Sequence, residues 1–141
     1  MSETVALISA VVIPAGTAVS AKGDGPAVEI CSAESRVFLL DLKISEAVEQ
    51  EYIELSLFGS PDGTQWATQP IAVLPQRFSA GEYPTLVDLS GAPAVNFVKV
   101  HWDVARWGRG DQVPRFVCGA TLREIPVELL KELRAEAASR K

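Results

Sequence analysis

The stretch Tyr52-Ile53-Glu54-Leu55-Ser56-Leu57-Phe58-Gly59-Ser60-Pro61-Asp62-Gly63-Thr64-Gln65-Trp66 decides the fold. Its first half alternates. Ile53, Leu55 and Leu57 point one way and Glu54, Ser56 and Phe58 the other, which is the period of a half-buried strand. Ser60-Pro61-Asp62-Gly63 then supplies a proline with fixed φ, an aspartate able to bond the backbone ahead of it, and a glycine free to take positive φ. The chain is expected to reverse there as a β-hairpin and restart at Trp66, with a strand over residues 69–74 that stops at Pro75. Pro70 would put the start of that strand at a sheet edge.

Other segments repeat this pattern. In residues 37–45, Phe38, Leu40, Leu42 and Ile44 form a core face, while Val37, Leu39, Asp41 and Lys43 form a mixed one. An acidic connection, residues 46–51, leads into the hairpin. Val98, Val100, Trp102 and Val104 alternate with Lys99, His101 and Asp103, and Phe116, Cys118, Ala120 and Leu122 alternate with Val117, Gly119, Thr121 and Arg123. Residues 5–13 read as a strand ended by Pro14-Ala15-Gly16. A weaker strand over 17–22, a loop at Gly23-Asp24-Gly25-Pro26 and a short strand over 27–31 follow. Residues 77–89 read as two strand pieces broken by Ala80-Gly81-Glu82 and Pro84, with Val87 and Leu89 inward. Loops are expected at residues 90–93 and 106–111, the second closed by Pro114.

Composition changes at Pro126. From there to Lys141 the residues are strong helix formers without glycine, opened by a proline suited to the first helical position. Glu128 complements the positive end of this helix, and Arg140 with Lys141 the negative end. Leu129, Leu130, Leu133 and Ala137 make an apolar stripe that needs a partner, either the chain's own sheet or a neighbouring subunit. The expected organisation is a β-sandwich over residues 1–125 and a helix over 126–141. The sandwich would be antiparallel and jelly-roll-like, with about seven to nine strands. No internal repeat is visible, which argues against propellers and solenoids.

With 141 residues, 48% hydrophobic and 22% charged, the chain has the composition of one globular domain. A formal charge of −5 offers no basic face for a phosphate backbone, so no nucleic-acid partner is expected. No run reaches the ~18 apolar residues of a membrane span. Met1-Ser2-Glu3-Thr4 carries an acid where a signal peptide carries Lys or Arg, so synthesis and folding in the cytoplasm are expected. Cys31 and Cys118 read as two buried thiols in that compartment. No ligand spacing suggests a metal site, and no cofactor motif stands in the chain.

His101 is the sole histidine, and a polar-face neighbour such as Asp103 could tune it as a base. No nucleophile elbow or oxyanion segment accompanies it, so a solvated face is the expected role. Carboxylate pairs such as Glu49 with Glu51, or Glu82 with Asp88, would serve glycoside hydrolysis only if they converged across a cleft. Trp102 falls on the core face. Trp66 reads as a lid on the core edge, and Trp107, between Arg106 and Arg109, as an interface anchor. The candidate contact residues are therefore Arg106, Trp107, Arg109, Leu129, Leu130 and Leu133. Were the chain a sugar-binding module instead, Trp66 or Trp107 would be the stacking residue.

The Ser60-Pro61-Asp62-Gly63-Thr64-Gln65-Trp66 turn, the strand Phe97-Val98-Lys99-Val100-His101-Trp102 and the closing Pro114-Arg115-Phe116 resemble small β-sandwich structural proteins of tailed bacteriophages and prophages. The likeness spans residues 28–120. It implies a virion component, a capsid decoration or tail-associated protein, that is not an enzyme and assembles with itself or with other structural subunits. The charged segment 106–111 and the terminal helix depart from that pattern. The same Ser-x-Asp-Gly turn also resembles discoidin-like sandwiches, which implies carbohydrate as the alternative partner.

Overall fold

A computed structural model describes residues 7–107 and 113–139, with side chains to 136. Among the described residues nine strands precede one helix: β1 (Ser9–Val19), β2 (Gly23–Asp24), β3 (Val28–Glu29), β4 (Val37–Ala47), β5 (Glu51–Ser60), β6 (Ala72–Val73), β7 (Gly81–Asp88), β8 (Phe97–Arg106), β9 (Phe116–Glu124) and α1 (Val127–Ser139). All strand pairs are antiparallel. One sheet has the order β1-β9-β4-β7 and the other β2-β8-β5-β6, with β3 also on β8. Two four-strand paths interleaved in this way make a jelly-roll sandwich.

The alternation read from sequence sets what lies between the sheets. Phe38, Leu40, Leu42 and Ile44 of β4 are buried against Ile53, Leu55 and Leu57 of β5. Val98 and Val100 of β8 join them, as do Phe116, Cys118, Ala120 and Leu122 of β9. Trp102 and Val104 are half-buried against this core, as their positions on β8 require.

Five expectations need correction. Pro14-Ala15-Gly16 does not end the first strand, and 17–22 is no separate one. Instead β1 continues to Val19 with register shifts between Val11 and Ile13 and between Ile13 and Thr17. The bulge is tolerated because β1 is an edge strand and Gly16 takes φ +81°. Gly23 and Asp24, expected in a loop, form β2 against Trp102 and His101. Residues 81–88 form one strand rather than two pieces, Pro84 included. Leu89 N–H donates to Arg36 O at 2.8 Å, so alternate pairs from there bond, and Asp41–Pro84 falls among the pairs that do not. The missing proline donor therefore faces the open side of β7.

The strand expected over 69–74 also shrinks to Ala72–Val73, and Trp66 begins no strand. The N–H groups of Ala67, Ile71, Leu74 and Arg77 donate to the carbonyls of Gly59, Leu57, Leu55 and Ile53 in turn. Three or four residues of this segment thus meet every two of β5, and the surplus loops outward around Pro70 and Pro75. The sheet edge is covered without a regular ladder.

Cys31 corrects the cysteine expectation. It is exposed, whereas Cys118 is buried, and both are free.

Candidate functional site

The Ser60–Gly63 turn is built from its own side chains. Asp62 Oδ1 accepts the N–H of Thr64 at 2.9 Å, that of Gln65 at 2.8 Å and the Ser60 hydroxyl at 3.1 Å. The amides of Gln65 and Thr64 pull the Asp62 pKa down to about 2. Ser60 Oγ accepts Gly63 N–H at 2.8 Å, and Gly63 takes φ +82° against the Phe97 ring. Asn96 ties the turn to β8 by donating its side-chain N–H to Pro61 O at 3.0 Å. Trp66 lies half-buried beside an open cleft of about 390 Å³ lined by Gly59, Pro61, Ile71, Ala94 and Val95. Lys99 Nζ sits 4.7 Å from the centre of the Trp66 ring, so one face of the indole is already taken by a cation.

His101 faces two carboxylates. Its Nδ1 is 2.9 Å from Asp24 Oδ1 and its Nε2 is 3.3 Å from Asp103 Oδ2. Asp103 was expected on the same face of β8, but Asp24 arrives only because β2 pairs there. Phe58 meets the imidazole edge-on at 5.9 Å. With both ring nitrogens engaged, this group ties β2 to β8. Glu82 and Asp88 stand six residues apart on β7, about 20 Å at strand rise, against the roughly 5–9.5 Å that glycoside hydrolysis uses. Glu51 is fully buried, and its two oxygens accept the N–H groups of Val48 and Arg115. Neither carboxylate pair therefore converges on a cleft. Among the described residues no group of three or more His, Cys, Asp or Glu is placed to hold a metal ion. No described helix is long and apolar enough to cross a membrane.

The expected contact residues separate into two places. Trp107 follows β8, is 51% exposed, and is held by its N–H to Gln50 O at 2.8 Å. Its ring meets Phe78 edge-on at 6.0 Å, and Phe78 is 52% exposed. Arg106 closes β8 and donates from Nε to Glu49 O at 3.3 Å. Arg77 lies over the Tyr83 ring at 4.5 Å, in the residue before Phe78. Arg109 lies outside the described residues. Phe78 is the member the sequence reading missed; the signal was an Arg-aromatic step, Arg77-Phe78, matching Arg106-Trp107.

Leu129, Leu130 and Leu133 are at the opposite end, where α1 leaves β9. Leu129 is 41% and Leu133 44% exposed, and Leu130 is half-buried with its N–H donating to Pro126 O at 3.1 Å. Leu129 lines a groove of about 410 Å³ with Leu7, Ile8, Leu39, Ile125 and Pro126. Farther along α1, Arg134 adds a smaller attraction to the bonds from Ser90 that hold the Asp88 carboxyl below its usual range.

No family model matches the chain, and no curated protein matches its sequence.

Proposed function

We propose that this chain is a non-enzymatic assembly protein that acts through protein–protein contacts, as a virion component of the kind implied by its likeness to phage and prophage structural sandwiches. The observation that carries this reading is the Phe78–Trp107 pair, with both rings half-exposed and Arg77 and Arg106 in the adjoining positions. Aromatic and arginine side chains supply most of the binding energy at protein interfaces. Jelly rolls serve in capsids and in lectins alike, so the fold does not choose between partners and the surface has to.

A sugar-binding role rests on the cleft beside Trp66. It is the weaker reading. Lys99 occupies one face of that indole, and beside Trp66 itself the lining offers the polar side chains of Ser60 and Gln65, with Ser60 committed to its turn. Light scattering after size exclusion, paired with glycan titration, tests the choice. Assembly predicts a mass above the 15.1 kDa monomer that falls to it when Phe78 and Trp107 are both changed to alanine. A strict monomer that binds glycans would overturn the proposal.

A further inference from the structure

We propose that the folded chain ages at one of its two Asp-Gly steps: Asp24-Gly25 converts to isoaspartate, while the Ser60 turn holds Asp62-Gly63 as aspartate.

Glycine puts no side chain in the way of its own nitrogen, so an Asp-Gly step is open to ring closure. The glycine nitrogen attacks Cγ of the preceding aspartic acid, and an N–Cγ bond forms. The carboxyl hydroxyl leaves as water, carrying the proton shed by the nitrogen. Water then adds to the five-membered imide. Opening at Cγ restores aspartate; opening at the main-chain carbonyl routes the backbone through Cβ and Cγ, which is isoaspartate. Closure needs the intervening peptide to rotate until its nitrogen faces Cγ, so any bond that fixes the nitrogen or the carboxyl opposes it.

Both aspartates are exposed, so access of water does not separate the two steps. Their neighbours do. Two residues before the aspartate stand Ser60 and Lys22; two residues after it stand Thr64 and Pro26. Ser60 Oγ accepts the N–H of the attacking nitrogen, Gly63, at 2.8 Å, and Ser60 is only 1% exposed. Thr64 N–H binds Asp62 Oδ1 at 2.9 Å, and Gln65 N–H and the Ser60 hydroxyl bind the same atom. All of these bonds must yield before the ring closes. The same donors hold the Asp62 pKa at about 2 rather than 3.8, which thins the neutral carboxyl that closure consumes by at least about tenfold.

Lys22 has no side-chain acceptor to offer Gly25, and Pro26 has no N–H to offer Asp24. This step is held by His101 Nδ1, 2.9 Å from Asp24 Oδ1, on a ring that Asp103 also engages, and by Gly25 N–H donating to Val100 O at 2.7 Å. These ties belong to β2, a two-residue strand at the border of its sheet. A short border pairing opens locally at far less cost than the sheet as a whole. Isoaspartate here adds a methylene to the backbone and draws the carboxylate off His101, which unfastens β2 from β8.

Trypsin gives each step its own peptide, residues 23–36 and 44–77, with one aspartate apiece. Wild-type protein is aged at neutral pH, folded and in concentrated guanidinium chloride, and isoaspartate is quantified by electron-transfer fragmentation. In denaturant both peptides are expected to acquire it. In the folded protein peptide 23–36 is expected to lead peptide 44–77 by at least about tenfold. Equal amounts in the two folded peptides would overturn the proposal, as would a peptide 23–36 that changes only in denaturant. Ser60→Ala, checked by circular dichroism, is expected to raise isoaspartate in 44–77 severalfold, and no rise would remove Ser60 as the shield. Asp24→Glu keeps the carboxylate but would need a slower six-membered closure, so the signal in 23–36 is expected to vanish; its persistence would show that it never came from Asp24.

Discussion

The fully buried carboxylate of Glu51 accepts the backbone N–H of Arg115 at 2.6 Å, joining the start of β5 to the approach of β9 across 64 residues. Its other oxygen accepts Val48 N–H at 2.9 Å. Glu124 does the same at the far end of β9, accepting Ile8 N–H at 3.1 Å and Glu34 N–H at 3.0 Å. β9, an inner strand of its sheet, is thus pinned at both ends by a buried glutamate that serves two amides.

Glu51→Ala leaves two amides without their acceptor and a void in place of the side chain. The expected loss is about 3 kcal/mol in urea-induced unfolding. Glu124→Ala is expected to cost about 2 kcal/mol, since Glu124 is slightly less buried. A loss within experimental error at both sites would show that water replaces the carboxylates without penalty.

Asp41 points from β4 to the outer side of its sheet yet is only 3% exposed, and its Oδ1 has no hydrogen-bond partner. Burial, then the nearby Glu82 carboxyl, raises its pKa; Lys43 and Arg123 oppose the shift. A raised folded pKa means the native state holds the proton more tightly than the unfolded chain. Stability from this group is therefore present at low pH and lost as pH rises through the folded value. Asp41→Asn should stabilise the protein by about 1 kcal/mol at pH 7 and by nothing measurable at pH 3. Equal effects at the two pH values would refute the assignment.

Asp62 behaves oppositely. Its pKa is lowered to about 2, so its support of the turn is complete above the ordinary value of 3.8 and fades as pH falls through about 2. The amide resonances of Thr64 and Gln65 should titrate together in that window. In Asp62→Ala the same two amides should lose protection at neutral pH while those of the core keep it.

The thiols should divide by burial. Desolvation pushes the Cys118 pKa up to about 11, and Cys31 is exposed. An aromatic disulfide reagent at pH 8 is expected to modify Cys31 in the folded protein, and Cys118 only after denaturant is added. Mass spectrometry of the peptides reads which one reacted.

Most of the sandwich was legible because its strands alternate. Every inward residue expected on β4 and β9, and Ile53, Leu55 and Leu57 on β5, is buried. Proline and glycine misled, because they mark edges and bulges as readily as ends, and Pro14 and Pro84 both lie inside edge strands. The glutamate pins had a signal that went unused. Glu51 shares the parity of Ile53 and Leu55, and Glu124 that of Leu122, so both acids stand where a core residue is due. Trp107 was visible as an aromatic between arginines. Phe78 carried the matching Arg77-Phe78 step, but its pairing with Trp107 was not legible, because a bridge between Ile53 and Arg77 that pattern cannot foresee brings that segment beside β5.

The frayed borders of the two sheets also limit how molecules can pile up. β1 bulges at Pro14–Gly16, β7 offers a missing donor at Pro84, and β2, β3 and β6 run for two residues each. Among the described residues no border presents a long regular row of unpaired amides, so an incoming strand finds little to zip onto. Crowded copies are therefore steered away from cross-β fibres, and a highly concentrated solution of the folded protein should stay free of fibrillar seeds.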